Sequence, residues 1–346
     1  MNVRIAPLET WDQADALSRF VYESRGLTHH RSWLYDPETV LEHNRNGRVR
    51  SFLALVSDRV VGHVAAIQPH FEDKASRAAA GNRIIGLDMV HPDFEAASVR
   101  AQLASAAYGW CMQRGSTGLL MVSPTEEVAS QRLGRALGGV PTSLLLGAVP
   151  SRRGGPLAGS ALSTLTVYMA LQSSPEARVY LPRADRDLYE AIYEGLNEDR
   201  HIHDAEDGPR IGPATDLKVH FDPAGEVGRI QVLRAGPDLT ERVLERFQWL
   251  LGGRIRHVTI EAPLSSPFTA RAVRTWKGHG MIFGGLLPGH ERGDVAVFQG
   301  LRDQDLDPAL VRVVDPLAGK LRDRVLGDWQ AARDLLRAPA PLKRTG

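Results

Sequence analysis

The spacing of apolar residues divides the first half of the chain into short strands and helices. Apolar runs and period-two alternation predict strands, and apolar residues at helical spacing predict helices. Predicted strands cover residues 3–8, 50–56, 60–68, 84–90, 118–123 and 144–149, and helices cover 11–22 and 128–137. Asp58 and Arg59 are predicted to form the turn between the second and third strands.

The second half shows the same kinds of pattern. A long strand over 162–171 either finishes the first sheet or bridges into a second one. Further along, the patterns predict a hairpin over 216–221 and 227–233, helices over 239–250 and 268–276, and strands over 255–261, 281–287 and 295–301. Residues 151–160, rich in Gly and Arg, predict a linker, and 308–336 predict a docking helix.

One segment, residues 82–115, carries a chemical signal. An apolar strand ending at Val90 meets Pro92, and a helix is predicted to begin soon after it, with Ala96, Ala97 and Ser98 in its first turn. The first N–H groups of a helix have no internal partners, and small side chains leave them accessible to an anion. The segment therefore predicts a phosphate-binding helix start.

This layout resembles the acyl-donor site of the GNAT superfamily of N-acyltransferases. In that family a strand ending in Val-x-Pro precedes Arg/Gln-x-x-Gly-x-Gly/Ala, whose backbone amides hold the pyrophosphate of coenzyme A. Val90 and Pro92 match, whereas Asp93 replaces the arginine, and Ala96 and Ser98 replace the glycines. The resemblance implies that the donor contacts Met89, Val90, Glu95, Ala96, Ala97, Ser98 and Val99.

The resemblance also implies the domain organisation. The order β-α-β-β-β-α-β-α-β over residues 1–150 is that of the family, and later segments are similar to a bacterial subgroup with a second, diverged half. The expected fold is therefore α/β (α+β), with two GNAT-like domains, each a mixed twisted sheet flanked by helices. The expected boundaries are 1–150, a linker and bridging strand at 151–178, 179–330, and a tail at 331–346.

The altered loop leaves the donor open. Asp93 and Glu95 place carboxylates where the family has cations, and these would repel a pyrophosphate. The donor is then either acyl-CoA or an acyl-carrier protein, whose phosphopantetheine arm has a single phosphodiester. A purely structural alternative is that Asp93 caps the helix and Glu95 belongs to its first turn.

Asp88 and His63 are the candidate catalytic residues. Aspartate is uncommon inside strands, and Asp88 lies beside the expected thioester, whereas His63 belongs to the neighbouring strand and titrates near neutrality. The alternatives are a carboxylate paired with an arginine and a buried histidine bonded to backbone. His91 and Glu72 are weaker candidates of the same kind.

The tyrosine acid of the family is absent, since the corresponding region has Gly134. His29 and His30 either line the acceptor entrance or lie on the surface.

Composition limits the remaining classes of function. The chain has 346 residues, 43% of them hydrophobic, and its 42 basic and 41 acidic residues nearly balance. No nucleic-acid footprint, metal site or membrane span is predicted, and a cytoplasmic protein is expected. The single cysteine, Cys111, is expected to pack inside a helix. The acidic segment around His201 and His203 is expected to be a solvated loop.

The sequence therefore predicts transfer of an acyl group from a thioester to a small-molecule or peptide amine. The second half, which lacks a comparable loop, is expected to shape the acceptor cleft. The other class of protein that fits is a binding or scaffold protein that kept the fold and lost the chemistry.

Overall fold

The computed structural model describes residues 3–27, 29, 31–69, 81–94, 98–126, 128–149, 161–172, 176–223, 225–290, 293–302 and 306–337. Within these residues, strands and helices form the mixed α/β fold that the sequence predicts. The predicted linker at 151–160 and the end of the tail, 338–346, lie outside the described residues.

The first half contains seven strands and four α-helices among its described residues. In chain order these are β1 Arg4–Pro7, α1 Trp11–Arg25, α2 Pro37–Arg45, β2 Val49–Val56, β3 Arg59–Ile67, β4 Arg83–Val90, α3 Val99–Gln113, β5 Gly118–Pro124, α4 Val128–Ala136, β6 Val140–Val149 and β7 Leu162–Ala170.

The second half begins with a small parallel pair of strands and then continues the large sheet. Its elements are β8 Ala177–Tyr180, α5 Arg186–Leu196, β9 Arg200–His203, β10 Asp216–Asp222, β11 Val227–Arg234, α6 Leu239–Gly252, β12 His257–Pro263, α7 Pro267–Lys277, β13 Ile282–His290, β14 Gly293–Leu301 and α8 Pro316–Arg337.

Among the described residues, twelve strands form one continuous sheet in the order β1-β2-β3-β4-β5-β7-β6-β13-β14-β12-β11-β10. We call β1 to β7 the first array of this sheet and β10 to β14 the second array. In the first array β3 is antiparallel to β4, and β4 is parallel to β5. The same pairings recur in the second array between β10, β11 and β12. Helices α3 and α6 connect the two parallel pairs. The two arrays of mixed strands are thus joined edge to edge.

The junction between the arrays lies at β6 and β13, where Gly285 pairs with Ser143. Gly285 has φ +114, and a Cβ there would lie 2.2 Å from the Thr142 carbonyl oxygen, so the position needs glycine. Buried Gln299 of β14 reinforces the junction, because it accepts from the Leu146 N–H at 2.7 Å and donates to the Leu144 carbonyl at 2.9 Å. The strand predicted over 162–171 is β7, which lies inside the first array.

Local chemistry explains where the elements begin and turn. Thr10 and Gln13 form a capping box at the start of α1. The turn between β2 and β3 consists of Ser57 and Asp58, with φ of +47 and +64, whereas Arg59 already belongs to β3. The predicted Asp58–Arg59 turn is therefore wrong by one residue, because this hairpin needs two consecutive positive φ angles.

Helix α8 packs on the sheet of its own chain. Its buried residues recur at helical spacing on the side that faces β13 and β6: Ala318, Leu321, Val325, Trp329 and Ala332. The docking helix predicted over 308–336 begins later, at Pro316, and a short 3-10 helix covers Pro308–Leu310. One side of the helix that the sequence predicts for docking is therefore buried against the sheet of its own chain.

Candidate active site

Strand β4 contains a bulge in the middle of the first array. Met89 pairs with His63 and Gly86 pairs with Ala65, so two residues of β4 stand opposite one residue of β3. Leu87, one of the two, has φ +57, a left-handed conformation that a leucine rarely adopts. Bulges of this kind redirect side chains and interrupt the hydrogen-bond ladder.

Just before the bulge, β4 and β5 separate. Their parallel pairing covers three residue pairs and ends at Ile85 and Met121, yet β4 continues beside β3 to Val90 and β5 continues beside β7 to Pro124. We call the space between residues 86–90 of β4 and 122–124 of β5 the β4–β5 opening. Backbone groups on these two facing edges have no ladder partner across it.

An apolar side chain is exposed at this opening. Val122 is 43% exposed, although its neighbours Met121 and Ser123 are buried at 8% and 3%. Val122 is the first residue of β5 after its pairing with β4 has ended. The β4–β5 opening therefore offers an apolar wall beside unpaired backbone groups, a combination suited to an extended ligand.

His63 lies on the face of the sheet that carries α1 and α2. Gly62 is close to Leu103 of α3 and Val64 packs in the same core, so strand alternation directs His63 to the opposite face. Its Nδ1 lies 3.0 Å from the carbonyl oxygen of Leu87. Because a carbonyl only accepts, Nδ1 carries the proton, and His63 ties β3 to the bulge of β4.

Burial decides the chemistry of this histidine. His63 is fully buried, and desolvation, helped by the nearby His29, lowers its pKa from 6.5 to about 3. Its Nε2 has no hydrogen-bond partner among the described residues. A neutral ring with so low a pKa is a weak base. Its hydrogen bond to the Leu87 carbonyl instead lets His63 hold the bulge of β4 in position.

Asp88 lies on the α3 face of the same strand. Its Oδ2 forms an ion pair with Arg100, in the first turn of α3, as in the arginine-paired alternative stated above. Its Oδ1 is buried and has no hydrogen-bond partner among the described residues, although 28% of the side chain as a whole is exposed. A carboxylate oxygen without a donor is ready to accept a hydrogen bond or a proton from a ligand.

Asp88 and His63 thus belong to neighbouring strands, but their side chains are not brought together. One contacts α3 and the other lies beneath α1 and α2, with the sheet between them. Arg100 is the residue that sequence reasoning missed, and its position ten residues after Val90 in the predicted helix could have indicated it. It places a cation at the start of α3.

The start of α3 differs from the predicted one. Residues Pro92–Phe94 form a 3-10 helix, and α3 begins at Val99 with Ser98 as N-cap, whose side chain makes no cap hydrogen bond. Asp93 therefore belongs to the 3-10 helix and does not cap α3. The predicted donor residues Glu95, Ala96 and Ala97, like Glu72, lie outside the described residues, whereas Met89 and Val90 end β4.

The segment after α1 lies on the His63 side. His29 is close enough to lower the pKa of His63, and its Nδ1 accepts a hydrogen bond from the Arg31 N–H at 3.0 Å. Trp33 packs edge-on against His43, with ring centroids 5.1 Å apart. This segment therefore borders the β3–β4 region, as an acceptor entrance would, while His30 lies outside the described residues.

In the second array the corresponding strands β11 and β12 also stop pairing before they end, after Gln231 and Glu261. The parallel pairing of β11 and β12 covers five residue pairs, and the residues that follow, Val232 and Ala262, are buried. Elsewhere in the described chain, no group of three or more His, Cys, Asp or Glu side chains is arranged to hold a metal ion. No described helix is long and apolar enough to cross a membrane.

Comparison with known proteins finds similarity in solved structures alone, since neither a family model nor a curated protein matches the sequence. An acetyltransferase of the GNAT family from Streptococcus pneumoniae is 14% identical, with a TM-score of 0.40, over 49% of this chain and 99% of its own. A proposed acetyltransferase from Salmonella typhimurium, solved with acetyl-CoA, is 14% identical with a TM-score of 0.39, over 51% of this chain and 97% of its own. The ribosomal-protein-S18-alanine N-acetyltransferase of Escherichia coli is 14% identical, with a TM-score of 0.37, over 51% of this chain and 97% of its own.

Proposed function

We propose that the first half of this protein is an N-acyltransferase that uses the β4–β5 opening to hold a thioester donor. The observation that carries the proposal is the separation of two parallel strands after three residue pairs, with Val122 exposed on one side and, on the other, a carboxylate oxygen of Asp88 to which none of the described residues donates. An extended acyl-pantetheine arm can pair with the free strand edges as an added strand does.

The donor would lie with its acyl carbonyl near the end of β4. The backbone N–H of Val90, beside Met89, is the proposed donor to the carbonyl oxygen, where charge develops during attack; it points away from β3, because the next N–H, of His91, donates to Val61 of β3. The phosphate end would lie at the start of α3, at Ser98 and Val99. Glu95, Ala96 and Ala97, which precede them in the sequence and are proposed to contact the donor, lie outside the described residues. Arg100, in the first turn of α3, pairs with Asp88 beside this helix start.

Asp88 is the proposed base. Its Oδ1 is available to accept a proton from the attacking amine, while Arg100 holds Oδ2 and fixes the orientation of the carboxylate. His63 is proposed to act through the bulge, since its bond to the Leu87 carbonyl fixes the backbone that contacts the thioester. The departing thiolate would be protonated by water, because Gly134 occupies the region where the family has a tyrosine.

Acyl-CoA is the proposed donor, and an acyl-carrier protein is the competitor. A primary amine, on a small molecule or a peptide, is the proposed acceptor. We assign residues 1–150, together with β7 from the segment 151–178, to the catalytic domain and 179–330 to a second GNAT-like domain. The burial of Val232 and Ala262, which follow the last β11–β12 pair, supports a packing role for that second domain.

The test is calorimetric titration with acetyl-, octanoyl- and palmitoyl-CoA, in parallel with acylated carrier protein, followed by thiol release with a panel of primary amines. Asp88→Asn should keep donor affinity and lower kcat by about 10²-fold or more. Arg100→Gln should lower kcat and, unlike Asp88→Asn, should also weaken donor binding. Asp12→Asn, an exposed position on α1, is the matched control and should change neither.

A scaffold function is the second candidate. The observation in its favour is that both candidate bases already have partners inside the protein, His63 at the Leu87 carbonyl and Asp88 at Arg100. Binding of neither CoA thioesters nor the carrier protein would reject the enzyme proposal and favour this one. If Asp88→Asn bound the donor and turned over at the wild-type rate, Asp88 would be rejected as the base, while the proposed acyl transfer would stand.

A further inference from the structure

Helices α1 and α2 lie side by side and border an open groove of about 930 Å³, which we call the α1–α2 groove. Its lining consists of one residue at the start of α1 and five residues from α2 and its C-cap: Trp11, Glu38, Leu41, Glu42, Arg45 and Asn46. Leu41 is only 6% exposed, whereas Trp11 is 51% exposed. The groove therefore has an apolar base and an aromatic wall beside charged side chains.

The charged side chains of this groove have no partner inside the protein. Glu38, Glu42 and Arg45 are exposed, and none of them makes an ion pair or a side-chain hydrogen bond with the part of the chain that the structure describes. On the neighbouring helix, by contrast, Asp15 pairs with Arg19 at 2.7 Å. The two glutamates of the groove are therefore available to bind a cation from outside.

The spacing of the two glutamates matches an extended chain. Glu38 and Glu42 are four residues apart on α2, so they lie on one face of the helix about 6 Å apart along its axis. In an extended polypeptide, alternate residues point to the same side and are about 6.6 Å apart. Two lysines separated by one residue can therefore each face one glutamate.

The remaining groups of the groove suit the same ligand. The exposed ring of Trp11 can contact a lysine ammonium through its face, and it can cover the apolar stem of that side chain. Arg45, three residues beyond Glu42, presents guanidinium donors to backbone carbonyls of a bound segment. The groove thus offers a partner for each kind of group in a basic, extended chain.

We propose that the α1–α2 groove binds an extended segment of a basic polypeptide that carries two lysines separated by one residue. Charge favours this occupant over an acidic one, because the two free carboxylates outnumber the one cation, Arg45. Size favours a polypeptide over a small molecule, since about 930 Å³ is at the upper end for ligand cavities and the groove is open. The proposal concerns binding alone and does not depend on acyl transfer by the first half.

The test is fluorescence anisotropy of a labelled peptide, Gly-Lys-Ala-Lys-Gly with both ends blocked, titrated with the full chain. The wild-type protein should bind it with a Kd below about 1 mM, and binding should weaken with added salt because exposed charges are screened. Glu38→Gln and Glu42→Gln should each weaken binding by about 3-fold, and the double variant by about 10-fold. Glu241→Gln, which changes an exposed glutamate of α6, is the matched control and should bind like the wild type.

Trp11→Ala should also weaken binding by about 3-fold, since the aromatic wall is lost. Its matched control is Trp249→Ala, because Trp249 of α6 is 57% exposed and lies outside the groove. The three charge variants change exposed positions only, so they should keep the wild-type melting temperature. This result separates a lost contact from a lost fold.

A second peptide tests the spacing. Gly-Lys-Lys-Ala-Gly has the same composition and net charge, but its adjacent lysines point to opposite sides of an extended chain. It should bind at least about 3-fold more weakly than the first peptide, because only one ammonium group can face a glutamate.

Three results would overturn the proposal. Absence of binding at about 1 mM protein would reject a basic segment as the occupant. Binding that is equally strong in the wild type and in the double glutamate variant would place the peptide outside the α1–α2 groove. Equal affinity for the two peptides would reject the pairing of alternate lysines with Glu38 and Glu42.

Discussion

Two buried histidines should make the stability of this protein fall as the pH drops from 7 to 5. Burial lowers the pKa of His63 from 6.5 to about 3 and the pKa of His257 from 6.5 to about 4. Both rings are neutral in the folded protein at pH 5, whereas in the unfolded chain both would be charged. The unfolded state then binds more protons, and stability falls with decreasing pH.

The magnitude follows from the two pKa values. Each histidine contributes stability that is fully present above pH 6.5 and is lost as the pH falls toward its folded-state pKa. Between pH 7 and pH 5 this amounts to about 2 kcal/mol for each histidine, and about 4 kcal/mol for the pair, at 1.36 kcal/mol per pKa unit. Such a loss is a large part of the stability of an ordinary domain.

Urea unfolding followed by tryptophan fluorescence at pH 7 and pH 5 measures this loss. His63→Gln should lose about 2 kcal/mol between the two pH values where the wild type loses about 4, since one titrating group is gone. The double variant with His257→Gln should be almost insensitive over this interval. Exposed carboxylates titrate alike in all three proteins and cancel from the differences.

The matched control is Leu53→Ala, because Leu53 is buried and pairs directly with His63 across β2 and β3. It should lower the free energy of unfolding by about 2–5 kcal/mol at both pH values and leave their difference unchanged. If His63→Gln lost as much stability between pH 7 and pH 5 as the wild type does, the assignment of this pH dependence to His63 would be refuted.

Three further predictions concern other parts of the fold. Gln299→Leu should lower the free energy of unfolding by about 2–5 kcal/mol in urea, because the buried N–H of Leu146 and a facing carbonyl lose their partner; an unchanged midpoint would show that the junction does not need them. Cys111 is buried and its pKa is raised by burial to about 11, so a chromogenic disulfide reagent should react with it only after unfolding. Ser57→Asn with Asp58→Gly should stabilise the protein by about 0.5–1 kcal/mol in thermal melts, since both positions have positive φ; a lower melting temperature would contradict this account of the turn.

The positions of most strands and helices could be predicted from the sequence, because they depend on periodicities that extend over a few residues. Strand β4 and helix α6 are found close to where apolar spacing places them. Errors arose where a boundary depends on backbone angles: the turn at Ser57, and the start of α3, which a 3-10 helix at Pro92–Phe94 delays.

Asp88 and His63 could be chosen from the sequence because their residue types are unusual in neighbouring strands. Their surroundings could not be predicted, since they depend on which face of the sheet each side chain takes after the bulge at Leu87. A single residue of shift exchanges the two faces. The same shift decides that Asp88 reaches Arg100 while His63 is buried beneath α1 and α2.

By itself, the sequence determined the elements, the α/β class and the segment at the end of β4 that deserved chemical attention. Tertiary structure alone decided that both arrays form one sheet, that β4 and β5 separate after Ile85, and that β10 is left at an edge. The physical reason is that strand pairing joins residues far apart along the chain. Its hydrogen bonds carry no side-chain pattern that would identify the partner strand.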